Sequence, residues 1–576
     1  MENSMQLRNL TQQEIDLLEQ NGNFAENWSQ VFVSPLFECG QLRGSELRGK
    51  VLIHDGARIR RSCVENCILS QGCLVDNVGL ISCRRESSFG IGTKVEAINE
   101  CGGRSIPLST SLTAQSAYLM SMFRNHPRMV RLLEEDIDTE AQDLSSDMCF
   151  VGRNSVIKNS RVIYEVRFEE KCEIDGASWL ENGTVLRGAK VGVDVKASSF
   201  IFAEDSVVSN GATVDHAFVG ECSRVSNGFT LVNSLVFSNC ELENGEACSA
   251  FMGPFTVSHH KSNLLIAGMF SFFNAGSGTN QSNHLFKDGP VHQSIHMRGC
   301  KFSSNGYVMS PAVEGAFSMV MGRNVKHHDT SSMPFSYLIE SNGITTLVPA
   351  IAIYGYGTER DMKKWPKRDK RTYKRDIINF EEYNPFITYY VKNGIDEIRS
   401  LLVQNPDSDI LHYNGCIIKK TMAERGLKSY EKYLTAAVGD MLKRGGGHGE
   451  KFRKWVDVAG QFVSLDDIRQ LIDDVETGSV TGLRDVRKRF EKLSEGYDND
   501  AYSFAVDLLG TLLGREVCPE DISQAIAASE DSVRFIREIR ESDLSRDRGS
   551  DMQVGYGLDL ESGEEKFEEF KAVRGL

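Results

Sequence analysis

The sequence has few prolines, no CxxC cysteine pair and no long apolar run. Only 12 of its 576 residues are Pro against 51 Gly, which suits tight turns between many short strands better than Pro-rich linkers. The 14 Cys are spread singly, which excludes a dense disulfide framework and indicates reduced thiols. No apolar run approaches the roughly 18 residues of a membrane helix, and the start MENSMQLRNLTQQEIDLLEQ is too polar for a secretory signal. We therefore expect a cytoplasmic protein without a membrane partner.

Basic residues are fewer than acidic ones. The chain has 65 Lys plus Arg against 80 Asp plus Glu, a formal charge of −15, which argues against nucleic acid as the main partner. The sequence has no Walker A motif and no GxSxG, so P-loop phosphoryl transfer and α/β-hydrolase chemistry lose their usual support. With 40 % apolar and 25 % charged residues, the composition is that of a globular chain with ample material for a core.

The clearest pattern in the sequence is a six-residue repeat. Apolar residues recur at every sixth position in two runs: Val156, Val162, Phe168, Ile174, Leu180 and Leu186, then Val195, Ile201, Val207, Thr213, Val219, Val225, Leu231 and Phe237, with Thr213 the weak member. Such hexads predict a three-sided solenoid with one short strand per side and about 18 residues per coil. Asn-Gly pairs at Asn210, Asn227 and Asn244 recur every 17 residues and predict a corner with positive φ.

The hexads resemble those of the hexapeptide-repeat acyltransferase superfamily over roughly residues 50–345. This resemblance implies a left-handed parallel β-helix and a homo-oligomer, a trimer in related proteins. It also implies that a His on one coil activates an acceptor, which attacks a thioester bound in a groove between subunits.

Other stretches have helical spacing instead. The predicted fold is mainly β with α, in which a β-helix carries a helical insertion and a helical C-terminal domain. We place an N-terminal helical segment at 1–30, the first coils at 31–105, the insertion at 106–145, the main β-helix with a His-rich site at 146–357, the C-terminal domain at 358–540 and a charged tail at 541–576.

Three blocks resemble a family of long bacterial β-helix proteins known as DUF4954. They are NECGGRSIPLSTSLTAQSAYLMSMFRNHP, the stretch from SHHKSNLLIAGMFSFFNAGSGTNQSNHLFKDGPVHQS to MGRNVKHHDTSSMPFSYLIE, and KKWPKRDKR. This family name brings no reaction with it.

Seven of the 12 His lie between His259 and His328, where FFNAGSGTNQSNHL breaks the hexads. A neutral imidazole accepts and returns a proton near pH 7, so the cluster predicts a general base for acyl transfer from acetyl-CoA or another acyl-CoA to a sugar, nucleotide sugar or similar small polar acceptor. We favour His284 as the base, then His292 and His260. The predicted acceptor-binding residues are Asn274, Asn280, Gln281, Asn283, Lys287, Arg298 and Arg323.

Two other functions use the same residues. Three imidazoles around zinc would activate water, as in the γ-class carbonic anhydrases, and His292, His296 and His327 are the candidate ligands. We do not favour zinc, because the HxxxH of GPVHQSIHMRGC converges on a metal only in a helix. A non-catalytic scaffold that binds a sugar nucleotide or a protein is the other alternative, with the His in packing roles.

Nine Lys or Arg lie between Arg360 and Arg375, with two Asp among them. Arginine forks bind phosphate oxygens, so Lys367, Arg368, Lys370 and Arg371 are predicted to meet the phosphates of coenzyme A or a nucleotide sugar. A solvated linker is the alternative interpretation.

Overall fold

A computed structural model describes residues 7–281, 293–446, 453–560 and 563–575. Its α-helices are α1 Gln12–Gln20, α2 Ala114–Met122, α3 Pro127–Leu144, α4 Tyr356–Arg368, α5 Pro385–Gln404, α6 Lys420–Leu442, α7 Leu465–Thr477, α8 Gly482–Leu513, α9 Pro519–Arg546 and α10 Gly563–Arg574. The helices α2 and α3 interrupt a long run of short strands, and α4–α10 follow it. The predicted helical insertion and helical C-terminal region are therefore confirmed.

The strands before the insertion are β1 Arg8–Asn9, β2 Phe24–Ala25, β3 Val31–Val33, β4 Leu42–Arg43, β5 Glu46–Ile53, β6 Arg58–Arg60, β7 Cys63–Leu69, β8 Leu74–Asp76, β9 Leu80–Ser82, β10 Lys94–Glu96 and β11 Ser105–Pro107. Those of the main solenoid are β12 Cys149–Val151, β13 Val156–Lys158, β14 Val162–Phe168, β15 Glu173–Asp175, β16 Trp179–Val185, β17 Lys190–Val191, β18 Lys196–Phe202, β19 Val207–Val208, β20 Thr213–Val219, β21 Arg224–Ser226, β22 Thr230–Val236, β23 Glu241–Glu243, β24 Glu246–Cys248, β25 Phe251–Met252, β26 Val257–Ser258, β27 Leu264–Ile266, β28 Gly268–Phe270, β29 Asn274–Ala275, β30 Asn280–Gln281, β31 Ser294–His296, β32 Lys301–Phe302, β33 Tyr307–Val308, β34 Ala312–Glu314, β35 Met319–Met321 and β36 Arg323–Asn324. Three antiparallel hairpins follow, made by β37 Tyr337–Ser341 with β38 Ile344–Val348, β39 Ile410–Tyr413 with β40 Cys416–Lys419, and β41 Trp455–Val458 with β42 Gln461–Ser464.

The main strands stack in parallel as a β-solenoid, as the hexads predict. The strands β14, β16, β18, β20 and β22 pair in order, and each residue lies beside the one 17 positions later. A coil in this region therefore has 17 residues and not the expected 18. The 17-residue spacing of the Asn-Gly pairs equals the coil length of the structure.

This one-residue difference explains where the hexad ladder is out of phase. A strict six-residue step gains one residue per 17-residue coil, so members of one run fall at both inward and outward positions. Val208 and Val214 fill the solenoid interior, whereas the predicted Val207 is only half-buried and Thr213 is exposed. The polar residue at hexad position Thr213 indicated that the six-residue step had shifted away from the inward positions.

The predicted corners have left-handed backbone. Asn210, Asn227 and Asn244 have φ of 52°, 58° and 60°, a conformation that Asn and Gly tolerate better than other residues. The Asn210 side chain also donates from Nδ2 to Asn227 Oδ1 at 3.2 Å, which links one corner to the next. The predicted positive φ is confirmed at all three.

Helices cover one outer wall of the solenoid. Its outward column runs in register from Ile201 through Phe218, Leu235, Phe251, Met269 and Ile295 to Val313. Much of this column packs into a second apolar core with residues of α2, α3, α7 and α8. We call this face the covered wall. In the described parts of the chain, no helix combines the length and apolar character that crossing a membrane requires.

Candidate functional site

The solenoid interior becomes polar in its last coils. One inward column passes from Phe202 through Val219, Val236 and Met252 to Phe270. The His296 ring then stacks on Phe270 with 5.0 Å between ring centroids, and Glu314 lies beside His296 in the next strand. An imidazole and a carboxylate therefore occupy positions that apolar side chains fill in earlier coils.

Gln281, His296, Glu314 and His328 form one buried network. His296 Nδ1 and Glu314 Oε2 are 2.5 Å apart, and His328 Nε2 is 2.9 Å from Glu314 Oε1. The Gln281 amide donates from Nε2 to His296 Nε2 at 2.9 Å. An amide nitrogen only donates, so His296 presents its proton on Nδ1, towards the carboxylate.

The second imidazole of this network has acceptors at both ring nitrogens. His328 Nδ1 is 3.1 Å from the Lys326 carbonyl oxygen, and Nε2 faces Glu314. Both nitrogens must donate to satisfy these acceptors, which describes an imidazolium. Burial lowers the pKa of His328, but Glu314 outweighs that effect and raises it above the ordinary value. Burial likewise raises the pKa of Glu314, but the two imidazoles hold it at about 2. The network is an ion pair inside the solenoid.

A crevice of about 250 Å³ lies against the covered wall beside this network. The solenoid side includes Ile295, His296 and Val313, and the opposite side comes from α2, α5 and β41. The crevice residues from those helical parts and their loops are Tyr118, Met122, Phe386, Tyr390, Lys454, Val456 and Asp457. An apolar lining with a few charged groups is typical of small-molecule sites.

An open groove of about 460 Å³ shares Ile295, Val313 and Asp329 with the crevice. His327 and His328 line it, and His327 is exposed while His328 is buried. The turn of the β39–β40 hairpin closes one side, where Asn414 donates to the Asp329 carbonyl oxygen at 3.0 Å. His327 is thus an exposed imidazole that directly precedes a member of the buried network in the chain.

Arg298 has a complete set of protein partners. Its Nε pairs with Asp457 Oδ2 at 2.8 Å, and its Nη atoms donate to the carbonyl oxygens of Asn379 and Gly460 at 2.7 Å each. The guanidinium lies between the rings of Phe272 and Phe462, at 4.0 and 4.3 Å from their centroids. These contacts join the solenoid to the β41–β42 hairpin, and they leave Arg298 little freedom to bind the predicted acceptor.

The other predicted acceptor residues are spread over several places. Asn274 is exposed on β29, Asn280 is half-buried on β30, and Arg323 stacks on Tyr307 with its Cζ 4.5 Å from the ring centroid. His260 is exposed at a corner after β26, next to His259, which approaches Glu241 and Glu243. Asn283, His284, Lys287 and His292 lie outside the described residues. Gln281 and Gln293, which flank them, both lie at the network or its groove.

The predicted phosphate site lies at the end of α4 and the loop after it. Lys367, Arg368 and Lys370 are exposed, and Arg368 and Lys370 border a gap of only about 40 Å³ beside Trp365. Arg371 differs from them, since it is buried and pairs with Asp369 at 2.8 Å. Arg371 therefore braces its own loop, through the Asp369 carboxylate and the Asp376 carbonyl oxygen.

Two of the residues proposed as zinc ligands, His296 and His327, lie in different surroundings. Both ring nitrogens of His296 already face Gln281 and Glu314 inside the solenoid, whereas His327 is exposed. Within the described ranges, no group of three or more His, Cys, Asp or Glu is arranged to hold a metal ion. His292, the third candidate ligand, lies outside those ranges.

Sequence reasoning missed the central carboxylate and the helical half of the crevice. Glu314 stands at an inward position of β34, where the repeat calls for an apolar or small side chain, so an acidic residue in that phase was the available signal. No such signal is present in the sequence for Tyr118, Phe386 and Tyr390, because the residue spacing around them is that of an ordinary amphipathic helix.

Comparisons with known proteins cover most of the chain. The family described as "Domain of unknown function (DUF4954)" matches residues 56–402, and "Domain of unknown function (DUF6819)" matches residues 438–576. An "Uncharacterized protein" of Treponema pallidum (strain Nichols) is 22 % identical over 630 aligned positions, which cover 92 % of this chain and 86 % of the relative. The first match spans the solenoid from its early coils to α5, and the second spans the C-terminal helices.

Proposed function

The chain belongs to the family described as Domain of unknown function (DUF4954), and from that premise we propose that it is an acyltransferase whose acceptor binds in the crevice on the covered wall. One observation carries the proposal: a cavity of small-molecule size lies beside a buried carboxylate–imidazole network at the point where the apolar repeat ends. Such a break in an otherwise consistent repeat is expected at a functional site. The resemblance to hexapeptide-repeat acyltransferases supplies the reaction class.

In the proposed reaction, a hydroxyl or amine of the acceptor attacks the carbonyl carbon of an acyl-CoA thioester. An imidazole takes the acceptor's proton as the new C–O or C–N bond forms, the C–S bond breaks, and the proton passes to the departing thiolate. His284 stays the first candidate for this base, followed by His292 and His260. Because His327 is exposed on the groove, we add it to them.

The network would hold the wall of the groove in place. Because His328 bonds at both ring nitrogens, it is not free to accept a proton from a substrate. Its side chain is buried and paired with Glu314, so it would act by fixing the wall of the groove next to Asp329. We assign His328 and Glu314 this positioning role.

The crevice differs in one respect from a groove between neighbouring subunits. Its second wall comes from α2, α5 and β41 of the same chain, so a second copy is not needed to complete it. A homotrimer and a nucleotide-sugar acceptor remain predictions from the resemblance, and light scattering of the purified chain checks the former.

Incubation with acetyl-CoA and a panel of amino sugars and nucleotide sugars tests the proposal by release of the CoA thiol. We expect thiol release with at least one acceptor, and loss of about 100-fold or more in the variant that removes the base, among H284A, H292A, H260A and H327A. H259A is the matched control, since His259 is an exposed imidazole at a corner beside Glu241 and Glu243. No thiol release from folded protein across the panel, or equal rates in all five variants, contradicts the proposal.

A non-catalytic binding scaffold is the second candidate, and the pairing of Glu314 with His296 and His328 inside the solenoid favours it. A structural ion pair needs no substrate, and the nitrogens of His296 and His328 all have protein partners. In that case a nucleotide sugar should raise the melting temperature of wild type and of all five His variants equally, without thiol release.

A further inference from the structure

A second cleft lies at the other end of the covered wall. It has a volume of about 550 Å³ between the early main coils, the loop before α2, Arg375 and the first turns of α8. Five basic side chains line it: Arg167, Arg375, Arg484, Arg487 and Lys488. Only three acidic side chains do so, Glu169, Glu204 and Glu491, in a protein whose net charge is −15.

Each of these carboxylates is already bound by an arginine of the same cleft. Arg375 Nη2 pairs with Glu204 Oε1 at 2.6 Å, and Arg167 Nε with Glu169 Oε1 at 2.7 Å. Arg487 Nε pairs with Glu491 Oε1 at 2.9 Å. An incoming anion would therefore not meet an unpaired carboxylate in the lining.

The remaining hydrogen-bond donors have unused capacity. The Arg484 side chain is exposed and forms no hydrogen bond or ion pair with any other residue that the structure describes. Arg167 and Arg487 bind their glutamates through Nε, which leaves the terminal nitrogens of both guanidiniums for a ligand. Arg484 and Arg487 lie three residues apart on α8 and so share one helix face, opposite Arg167 on β14.

We propose that this cleft binds an organic phosphate, with Arg484, Arg487 and Arg167 as the phosphate ligands. Guanidinium forks match phosphate oxygens in pairs and are less strongly hydrated than ammonium groups, so several of them in one cleft select phosphate over a carboxylate of lower charge. The volume accommodates a nucleotide-sized molecule. This site is separate from the Lys367–Arg371 stretch, and it does not depend on the reaction proposed for the crevice.

Isothermal titration of the full chain with inorganic phosphate, pyrophosphate, ADP and coenzyme A tests the site. We expect saturable binding that is tighter for ADP and coenzyme A than for inorganic phosphate, and about tenfold weaker in R484A. The double variant R484A,R487A should bind ADP and coenzyme A more weakly still than R484A. The matched control is R469A, which removes an exposed arginine of α7 that pairs with Asp466 at 3.0 Å.

Equal weakening in R469A and R484A would show a general charge effect and overturn the proposal, as would no binding of any of the four phosphates at millimolar concentration. Binding of inorganic phosphate as tight as that of ADP would also overturn it, since the cleft would then select the free anion. Circular dichroism of R484A,R487A establishes that a loss of binding is not a loss of fold. Because the readout is binding without acyl transfer, its failure is distinct from failure of the proposed function.

Discussion

The middle coils, from β14 to β22, and the last coils, from β27 to β36, are built on the same three-sided plan but use their interiors differently. In the middle coils every turn has 17 residues, and the interior holds Val, Ala and Phe side chains. In the last coils the interior holds the network around Glu314, and Arg298 reaches out to the β41–β42 hairpin. The comparison indicates that loss of the apolar repeat marks the coils whose interior holds a polar network.

Arg298→Ala should produce the largest loss of stability, because it leaves the Asp457 carboxylate buried without its partner. We expect a loss of about 3–5 kcal/mol in the free energy of unfolding, measured by urea denaturation. Arg323→Ala is the control from the same coils: the Arg323 side chain is exposed and stacks on Tyr307, so the loss should stay below about 1 kcal/mol. Similar losses in the two variants would contradict the role of Arg298 as a clamp.

Glu314→Gln keeps the shape of the network but removes its negative charge. The His328 imidazolium then lies buried without a counter-charge, which should cost about 3 kcal/mol in the free energy of unfolding. Glu173→Gln is the matched change in the middle coils, where Glu173 pairs on the surface with Lys190 at 2.8 Å, and it should cost less than about 0.5 kcal/mol. If both substitutions reduce the free energy of unfolding equally, the buried pair in the last coils contributes no more than a surface pair in the middle coils.

The stability that the network provides should depend on pH in two directions. The pKa of Glu314 is lowered from 4.5 to about 2, so its stabilisation is present above pH 4.5 and is lost as the pH falls towards 2. The pKa of His328 is raised from 6.5, so its stabilisation is present below pH 6.5 and is lost as the pH rises through the folded-state value. The difference in unfolding free energy between wild type and His328→Asn should therefore be largest between pH 4.5 and 6.5. A difference that does not change from pH 3 to 9 would contradict the ion pair.

The same contrast explains how much of the molecule could be predicted from sequence. Hexads and Asn-Gly spacing predicted the solenoid, because one inward side chain and one corner recur in every coil and the pattern averages out single exceptions. Glu314 and Arg298 could not be placed in this way. Asp457, the partner of Arg298, lies 159 residues along the chain, and His328, the partner of Glu314, lies 14 residues away, which is not the coil length, so no period in the sequence records these pairings.

The smallest expected effect is at a corner of the middle coils. Asn227 has φ of 58° and accepts a hydrogen bond from Asn210, so Asn227→Ala should cost about 1–2 kcal/mol in unfolding free energy. Asn227→Gly keeps the left-handed backbone without strain and should cost less than Asn227→Ala, although it also loses the side-chain bond. The midpoints of urea denaturation of the two variants show which of them loses more stability. If Gly costs as much as Ala, the side-chain ladder and not the backbone sets the corner, and even the regular coils would then depend on specific partners.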